Sequence, residues 1–205
     1  MSPALEESVL VPAGPFPFGE SGDLRYVDPF RMDRFPVTVA RYAVFLEETG
    51  HEEPHGFAAI AADPARREHP VTRVSWFDAR AFATWQGRSL PTEEQWEKAA
   101  GGTDGFAWPW GDRFDVRRLN SRAAKQRGTT AVTRYPDGAS PFGVMDMAGN
   151  VWEWTGSWFD GTGELLVLKG GCHALTKEYA RVSSRHFNDP AFGNNLTGFR
   201  TVENL

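Results

Sequence analysis

The segment at residues 51–55, His-Glu-Glu-Pro-His, has the H-E-x-x-H spacing of zinc peptidases. That chemistry needs both histidines one turn apart on one face of a continuous helix, with the glutamate as general base. Gly50, directly before the motif, is a typical helix-ending residue. Pro54 would lie between the two histidines and would destabilise a helix by about 3 kcal/mol or more. We therefore interpret this segment as a solvated loop and not as a metal site.

Cys172 and His173 are the other residues whose types could support catalysis, because a cysteine activated by a base is a strong nucleophile. Adjacency alone does not make a dyad, since activation needs a base within hydrogen-bond reach and a third group that orients it. A lone cysteine is more often a small buried hydrophobe, and a reactive thiol is the alternative. The sequence contains neither a Gly-x-Ser-x-Gly motif nor a glycine-rich phosphate loop. We therefore predict that the protein is not an enzyme.

Oxygen-bearing side chains and a turn occur together at residues 146–154, which read Asp-Met-Ala-Gly-Asn-Val-Trp-Glu-Trp. Carboxylate and carbonyl oxygens from such a turn could converge on a hard cation such as Ca²⁺. The alternative is a tight turn whose two tryptophans pack in the core. The residues alone leave both interpretations open.

The composition indicates one packed domain. The 205 residues are 40% hydrophobic and 13% aromatic, with eight Trp, which is typical of a chain that buries a substantial core. Since neither a linker nor an internal repeat is visible, we predict a single domain over residues 1–205. We expect this domain to be a monomer.

Charge and hydropathy exclude two classes of partner. A net charge of −5 without a cluster of Lys and Arg argues against nucleic-acid binding. Residues 1–7 lack the basic and apolar regions of a signal peptide, and no stretch reaches about 18 consecutive apolar residues, so membrane insertion is not expected. A single cysteine cannot form an internal disulfide, which favours a reducing compartment. We expect a cytoplasmic location by default, with surface display as the open alternative.

Strands are predicted where apolar, β-prone residues are punctuated by Pro and Gly. Two short strands around a turn are expected at residues 9–19, and another at residues 30–35. The part of the chain after residue 102 is rich in Gly, Asn and aromatic residues, which predicts loops with short strands, for example at residues 165–168 and 199–202.

Three helices are predicted from capping residues and apolar spacing. Thr38 is an N-cap for a helix that Gly50 should end. Capping-box patterns begin at Ser75 and Thr92, and each leads into a stripe of Trp and Ala. Strands and helices that do not alternate regularly predict an α+β fold.

Several specific motifs follow one another over nearly the whole chain, from about Val9 to Val202. They are PVT at 36–38, HPV at 69–71, VSWFDA at 74–79, LPTE at 90–93 with WE at 96–97, WPWGD at 108–112, GNVWEW at 149–154, KGG at 169–171 and GFR at 198–200. Their order resembles that of formylglycine-generating-enzyme-like domains, also called sulfatase-modifying factor domains. The resemblance implies an α+β fold that is a variant of the C-type lectin fold, with short twisted strands, flanking helices and long loops.

The resemblance also implies which cofactors to expect. The oxidase of that family binds copper through two cysteines in the segment after the Gly-Gly, whereas this chain has only Cys172, directly after Gly171 where the family usually has Ser. We therefore expect neither copper nor oxidase activity. The family's calcium site maps onto Asp146, Gly149, Val151 and Glu153 and implies one Ca²⁺. A second family calcium site would begin at residues 120–121, but its later loop is shortened here.

Without catalytic residues, the same scaffold resembles the variable proteins of diversity-generating retroelements. In those proteins a C-terminal segment, here residues 170–200, is diversified and binds a ligand. The resemblance implies that residues from Cys172 to Leu196 form a solvent-facing site for an unknown ligand, expected to be a protein. The site residues would be Cys172, His173, Ala174, Leu175, Thr176, Tyr179, His186, Phe187, Asp189, Phe192, Gly193 and Leu196.

Two alternatives to this non-catalytic binding protein stay open. One is an accessory or degenerate domain of the formylglycine-generating-enzyme-like family. The other is a copper-dependent oxidase of that family that uses Cys172, which requires a concave pocket where Cys172 and His173 converge.

Overall fold

The computed structural model describes residues 7–205, so the first six residues of the predicted domain lie outside the described part of the chain. Within residues 7–205 there are nine short strands and few helices, which confirms the predicted α+β composition. The strands are β1 (Ser8–Val11), β2 (Gly14–Phe18), β3 (Asp23–Val27), β4 (Phe30–Asp33), β5 (Trp152–Trp158), β6 (Leu166–Lys169), β7 (Arg185–Asn188), β8 (Thr197–Gly198) and β9 (Val202–Asn204). The α-helices are α1 (Val39–Thr49), α2 (Phe57–Ala61), α3 (Trp76–Trp85) and α4 (Glu93–Gly101).

The strands form three small sheets. One has the order β1-β4-β9, one is the β2–β3 hairpin, and the third has the order β7-β6-β5-β8. All strand pairs are antiparallel except β5 and β8, which are parallel. The two strands predicted at residues 9–19 exist, but they belong to different sheets. A shift of register between Trp154 and Trp158 bends β5 against β6.

The three predicted helices begin where the capping residues indicate. The Thr38 side chain accepts a hydrogen bond from the Arg41 amide, and Gly50 ends α1 in the left-handed conformation. Ser75 and Thr92 each form a complete capping box, with Asp78 and Gln95 respectively. The fourth helix, α2, is a single short turn that the sequence patterns did not predict.

Two large apolar clusters hold these elements together. The larger lies between α1, α3, β5 and β6 and includes Tyr42, Phe82, Trp154 and Phe199. The smaller joins α4 to strands β1, β2, β4 and β9, with Trp96 fully buried at its centre. Within residues 7–205, no helix is long and apolar enough to cross a membrane.

Candidate ligand-binding surface

The His-Glu-Glu-Pro-His segment follows the end of α1 as a loop, as predicted from Gly50 and Pro54. The Nε2 atom of His51 lies 2.8 Å from Oδ1 of Asp78, while His55 is exposed. The two histidines are therefore not ligands on one helical face.

Strand β7 and the loop after it expose five of the predicted ligand-binding residues: His186, Phe187, Asp189, Phe192 and Gly193. The side chains of Phe187 and Phe192 are 41% and 54% exposed. We call these five residues the β7 surface. An exposed aromatic residue on an edge strand and another on the loop after it could each anchor a ligand, as aromatic residues do in many interfaces.

Aromatic contacts fix two side chains of the β7 surface to rings on and directly after strand β5 of the same sheet. The ring of Phe187 lies 4.4 Å from that of Phe159, centroid to centroid. The His186 ring lies 5.4 Å from the buried Trp152 ring, and its partial desolvation on this side lowers the pKa of His186 although the residue as a whole is exposed. The His186 imidazole is therefore neutral near pH 7 and offers one donor and one acceptor nitrogen.

Backbone hydrogen bonds hold the loop after β7 against the start of α3. The Trp76 amide donates to the Pro190 carbonyl at 2.9 Å, and the Arg73 amide donates to the Asn194 carbonyl at 2.7 Å. A Cβ atom at Gly193 would collide with the carbonyl oxygen of Arg73, so only glycine permits this approach. The surface is therefore largely pre-formed.

Cys172 does not belong to this surface, and the prediction that it faces solvent is wrong. The residue is 1% exposed and packs in the larger core cluster. Gly171 turns the chain inward with a φ of 73°, and a Cβ there would lie 2.6 Å from the Tyr179 carbonyl oxygen. Burial raises the pKa of the Cys172 thiol. A buried thiol with a raised pKa is a poor nucleophile and a poor metal ligand.

Four other predicted site residues are intermediate in exposure to solvent. Ala174, Leu175 and Leu196 are half-buried and pack against the larger core cluster, so they support the surface more than they form it. His173 is also half-buried, and burial lowers its pKa. No hydrogen bond joins His173 to the Cys172 thiol in the part of the chain that the structure describes, so the two do not form a dyad.

Thr176 and Tyr179 are exposed on a separate turn. The carbonyl oxygen of Lys177 in this turn accepts a hydrogen bond from Trp108 Nε1 at 3.4 Å, and the Arg181 guanidinium lies 4.6 Å from the centroid of the Trp108 ring. The predicted site residues thus fall into three groups. Some are exposed on strand β7 and the loop after it, two are exposed on a separate turn, and the others are buried or half-buried.

Three aromatic residues near the β7 surface were not among the predicted site residues. Phe77 and Trp158 are 50% and 47% exposed, and the half-buried Trp76 lies between them, 5.5 Å and 6.4 Å away by ring centroids. The Trp76 amide also bonds to the Pro190 carbonyl of the loop after β7. Sequence patterns placed Trp76 in an apolar helix stripe, whereas the position of Trp158 depends on the register shift in β5.

Of the four residues predicted to bind calcium, Glu153 already has a protein cation as its partner, which disfavours it as a Ca²⁺ ligand. Both oxygens of the buried Glu153 carboxylate accept hydrogen bonds from Arg200, each at 2.7 Å, and Oε2 also accepts one from Trp96 Nε1. A protein cation therefore already neutralises this carboxylate. Within residues 7–205, no cluster of three or more His, Cys, Asp or Glu residues could hold a metal ion.

Asp146 differs from Glu153 because none of the cationic side chains that the structure describes bonds to it. Its Oδ2 atom accepts a hydrogen bond from Asn150 Nδ2 at 2.7 Å, and burial raises its pKa to about 7. Beside it, Asn120 Nδ2 donates to Asn150 Oδ1 at 3.1 Å. Asn120 Oδ1 and the Ser121 hydroxyl are buried without a hydrogen-bond partner among the described residues. Oxygen atoms without a hydrogen-bond partner thus occur at residues 120–121, where the family's second calcium site would begin, and not at Glu153.

Comparison with solved structures supports the predicted fold. The solved structure of Treponema denticola variable protein 1 superposes with a TM-score of 0.80, at 20% identity, over 97% of this chain and 95% of that chain. At this identity the similarity concerns the fold alone. It confirms the predicted α+β fold, the variant of the C-type lectin fold found in formylglycine-generating-enzyme-like proteins.

Sequence relatives establish the family. A serine/threonine-protein kinase, pkn1 of Chlamydia pneumoniae, is 32% identical over 99% of this chain and 39% of its own length. The chain therefore spans about two fifths of the length of this relative. The inactive C-alpha-formylglycine-generating enzyme 2 of Bos taurus is 38% identical, covering 85% of this chain and 77% of that protein. The family model "Sulfatase-modifying factor enzyme 1-like domain" matches residues 2–205, and the chain belongs to this family.

Proposed function

We propose that the chain is a non-catalytic domain that binds a protein ligand through the β7 surface. The observation that carries this proposal is the exposure of Phe187 and Phe192, at 41% and 54%, on a strand and loop whose backbone is fixed. Burying a large aromatic side chain is favourable in free energy. A partner that covered Phe187 and Phe192 would therefore be stabilised by their burial. Aromatic anchors on a pre-formed surface also limit the entropy lost on binding.

The burial of Cys172 supports the absence of catalysis. A copper-dependent oxidase that used this residue would need an accessible thiolate, and burial both covers the thiol and raises its pKa. Relatives of the chain include an inactive protein as well as proteins named as enzymes. Titration of the purified protein with Cu(I) decides the point. We expect the wild-type protein and the Cys172→Ala variant to bind Cu(I) equally weakly. Stoichiometric Cu(I) binding by the wild type that the variant loses would favour the oxidase.

A displayed random-peptide library tests binding, because the natural ligand is not identified. Peptides enriched on the wild-type protein should lose binding to the double variant Phe187→Ser/Phe192→Ser. The matched control is Leu24→Ser/Tyr26→Ser, which removes two side chains that are 73% and 64% exposed on strand β3. Failure to enrich any peptide, or equal loss in both variants, would contradict a binding role for the β7 surface.

As a finer proposal, residues 170–200 are the diversified segment of a retroelement variable protein. The ends of this segment, Gly170 and Arg200, are buried and fixed, while the β7 surface between them is exposed. Sequencing of the flanking DNA tests the proposal. We expect a near-copy of the coding stretch that differs only opposite adenines, beside a reverse transcriptase gene. Its absence would contradict diversification and favour an accessory domain of the family.

A further inference from the structure

A groove between helix α3 and the end of α1 lies outside the β7 surface. Its volume is about 490 Å³, within the range of about 300–1,000 Å³ that is typical of small-molecule sites. Phe77, Ala81 and Trp85 follow at every fourth position of α3, so they lie one above another and form one wall. The buried Phe45 of α1 forms part of the opposite wall. None of the five residues of the β7 surface lines this groove.

A hydrogen bond between the loop after α1 and the first turn of α3 fixes one end of the groove. Gly50 ends α1, and His51, which lines the groove, has its Nε2 atom 2.8 Å from Oδ1 of Asp78. Because a carboxylate can only accept, Nε2 is the donor. The Oδ2 atom of Asp78 accepts hydrogen bonds from the amide and the hydroxyl of Ser75, at 2.8 and 2.6 Å. Both oxygens of Asp78 are thus occupied, and the groove is pre-formed at this end.

Aromatic rings line most of the groove. The Phe45 ring lies 5.6 Å from the Trp85 ring and 5.0 Å from the His51 ring, centroid to centroid. Phe77 is 50% exposed at the rim, and Trp85 is half-buried. Aromatic rings pair favourably with one another in offset or edge-to-face contact at about 4.5–7 Å. A ligand ring that entered the groove would find such partners on both walls.

The charge that is free to pair with a ligand is positive. Arg80 is exposed and lines the groove, and its guanidinium lies 5.0 Å from the centroid of the Trp76 ring. Among residues 7–205, no carboxylate forms an ion pair with Arg80, and none of the residues that line the groove is acidic. A carboxylate can accept two parallel hydrogen bonds from a guanidinium, whereas a cationic ligand would meet a like charge. The groove therefore favours a ligand that combines an aromatic ring with a carboxylate.

We propose that this groove binds an aromatic carboxylate, with its ring against Phe45, Phe77 and Trp85 and its carboxylate on the Arg80 guanidinium. The ligand is either a free aromatic acid or the C-terminus of a peptide that ends in an aromatic residue, since both carry the same ring and charge. The proposal does not depend on the β7 surface, so either proposal can fail without the other.

Isothermal titration calorimetry on the full chain tests this proposal with four probes: 3-phenylpropionate, Nα-acetyl-phenylalanine, the neutral 3-phenylpropionamide, and propionate, which lacks the ring. We expect the two aromatic acids to bind with one-to-one stoichiometry, and the amide and propionate to bind at least about tenfold more weakly. Tighter binding of Nα-acetyl-phenylalanine than of 3-phenylpropionate identifies a peptide C-terminus as the source, and equal or weaker binding identifies a free acid. Absence of binding by both acids, or equal binding of the amide or of propionate, would overturn the proposal.

Variants identify the residue that binds the carboxylate. Arg80→Gln should weaken binding of the aromatic acids by about tenfold or more, because it removes the charge and the paired donors. The matched control is Arg31→Gln, at an exposed position of β4 outside the groove, which should change affinity by less than about twofold. Undiminished binding in a folded Arg80→Gln protein would refute the assignment.

Two further variants locate the ligand ring. Thr84→Trp fills the groove from an exposed position of α3 and should abolish binding. The double variant Phe187→Ser/Phe192→Ser should bind the aromatic acids as the wild type does, because neither side chain lines the groove. Undiminished binding in a folded Thr84→Trp protein, or binding lost in the folded double variant, would place the ligand elsewhere and refute the proposal.

Discussion

Strands β5 and β7 belong to the same sheet, with only β6 between them, yet their side chains have opposite environments. The first four residues of β5 are buried, whereas the first three of β7 are exposed. In β5 the Glu153 carboxylate is fully hydrogen-bonded inside the protein, while in β7 the rings of His186 and Phe187 reach the surface. The difference separates positions that specify the fold from positions that can change without unfolding it.

Because of the buried polar network around Glu153, we expect β5 to tolerate little change. Arg200, fully buried, bonds to Glu153 and also donates to the carbonyl oxygens of Asp33 and Met145. The Asp33 carboxylate in turn accepts hydrogen bonds from Arg41 and other residues. The network thus joins β4, β5 and the segment before β9, which are far apart in sequence.

The largest effect should come from breaking this network. Arg200→Met leaves the Glu153 carboxylate buried without its cation, and we expect a loss of about 3–5 kcal/mol in the free energy of unfolding. Urea denaturation followed by tryptophan fluorescence measures it. The double variant Glu153→Gln/Arg200→Met removes both charges and should lose less than the sum of the single variants. A loss below about 1 kcal/mol for Arg200→Met would show that the network does not stabilise the scaffold.

Replacement of Cys172 should have an intermediate effect. Cys172→Ser places a hydroxyl in the apolar cluster without an assured partner, and we expect a loss of about 1–3 kcal/mol. Cys172→Ala, which removes the sulfur without adding a polar atom, is the control and should lose less. The same denaturation measurement compares them. If both variants were as stable as the wild type, Cys172 would belong with the exposed residues of the segment and not with the core.

Local features of the fold could be predicted from the sequence because their causes are local. The start of α1 at Thr38 and the capping boxes at Ser75 and Thr92 involve residues three positions apart. The pairing of Glu153 with Arg200 joins positions 47 residues apart. No periodicity or spacing rule indicates such a contact. The role of Glu153 as a calcium ligand was implied by the family resemblance and stays a prediction.

The candidate site could be predicted only in part for the same reason. The exposed residues His186, Phe187 and Phe192 lie in a turn-rich segment whose mixed composition indicated a surface. The inward position of Cys172 depends on the turn at Gly171 and its contact with the Tyr179 backbone, which are tertiary features. Sequence order placed these residues in one segment, but the fold divides that segment between core and surface.

A pair of phenylalanines sharpens the contrast between the two regions. Phe192 is 54% exposed on the β7 surface, and Phe199 is fully buried. We expect Phe192→Ala to change the free energy of unfolding by no more than about 0.5 kcal/mol, and Phe199→Ala to lower it by about 3–5 kcal/mol. Thermal or urea denaturation of the two variants gives the comparison. A loss above about 1 kcal/mol for Phe192→Ala would mean that the loop after β7 is part of the scaffold.

The smallest expected effect concerns calcium. Since Arg200 already neutralises Glu153, we expect millimolar CaCl₂ to leave the denaturation midpoint where it is in EGTA. A rise in the midpoint would contradict this expectation, and two variants would then locate the ion. Loss of the rise in Asp146→Asn but not in Glu153→Gln would place Ca²⁺ beside Asp146 and the unpaired Asn120 oxygen. Loss of the rise in Glu153→Gln would instead mean that Glu153 binds Ca²⁺, which requires Arg200 to release the Glu153 carboxylate. Strand β5 would then resemble β7, because both would offer a side chain to a ligand.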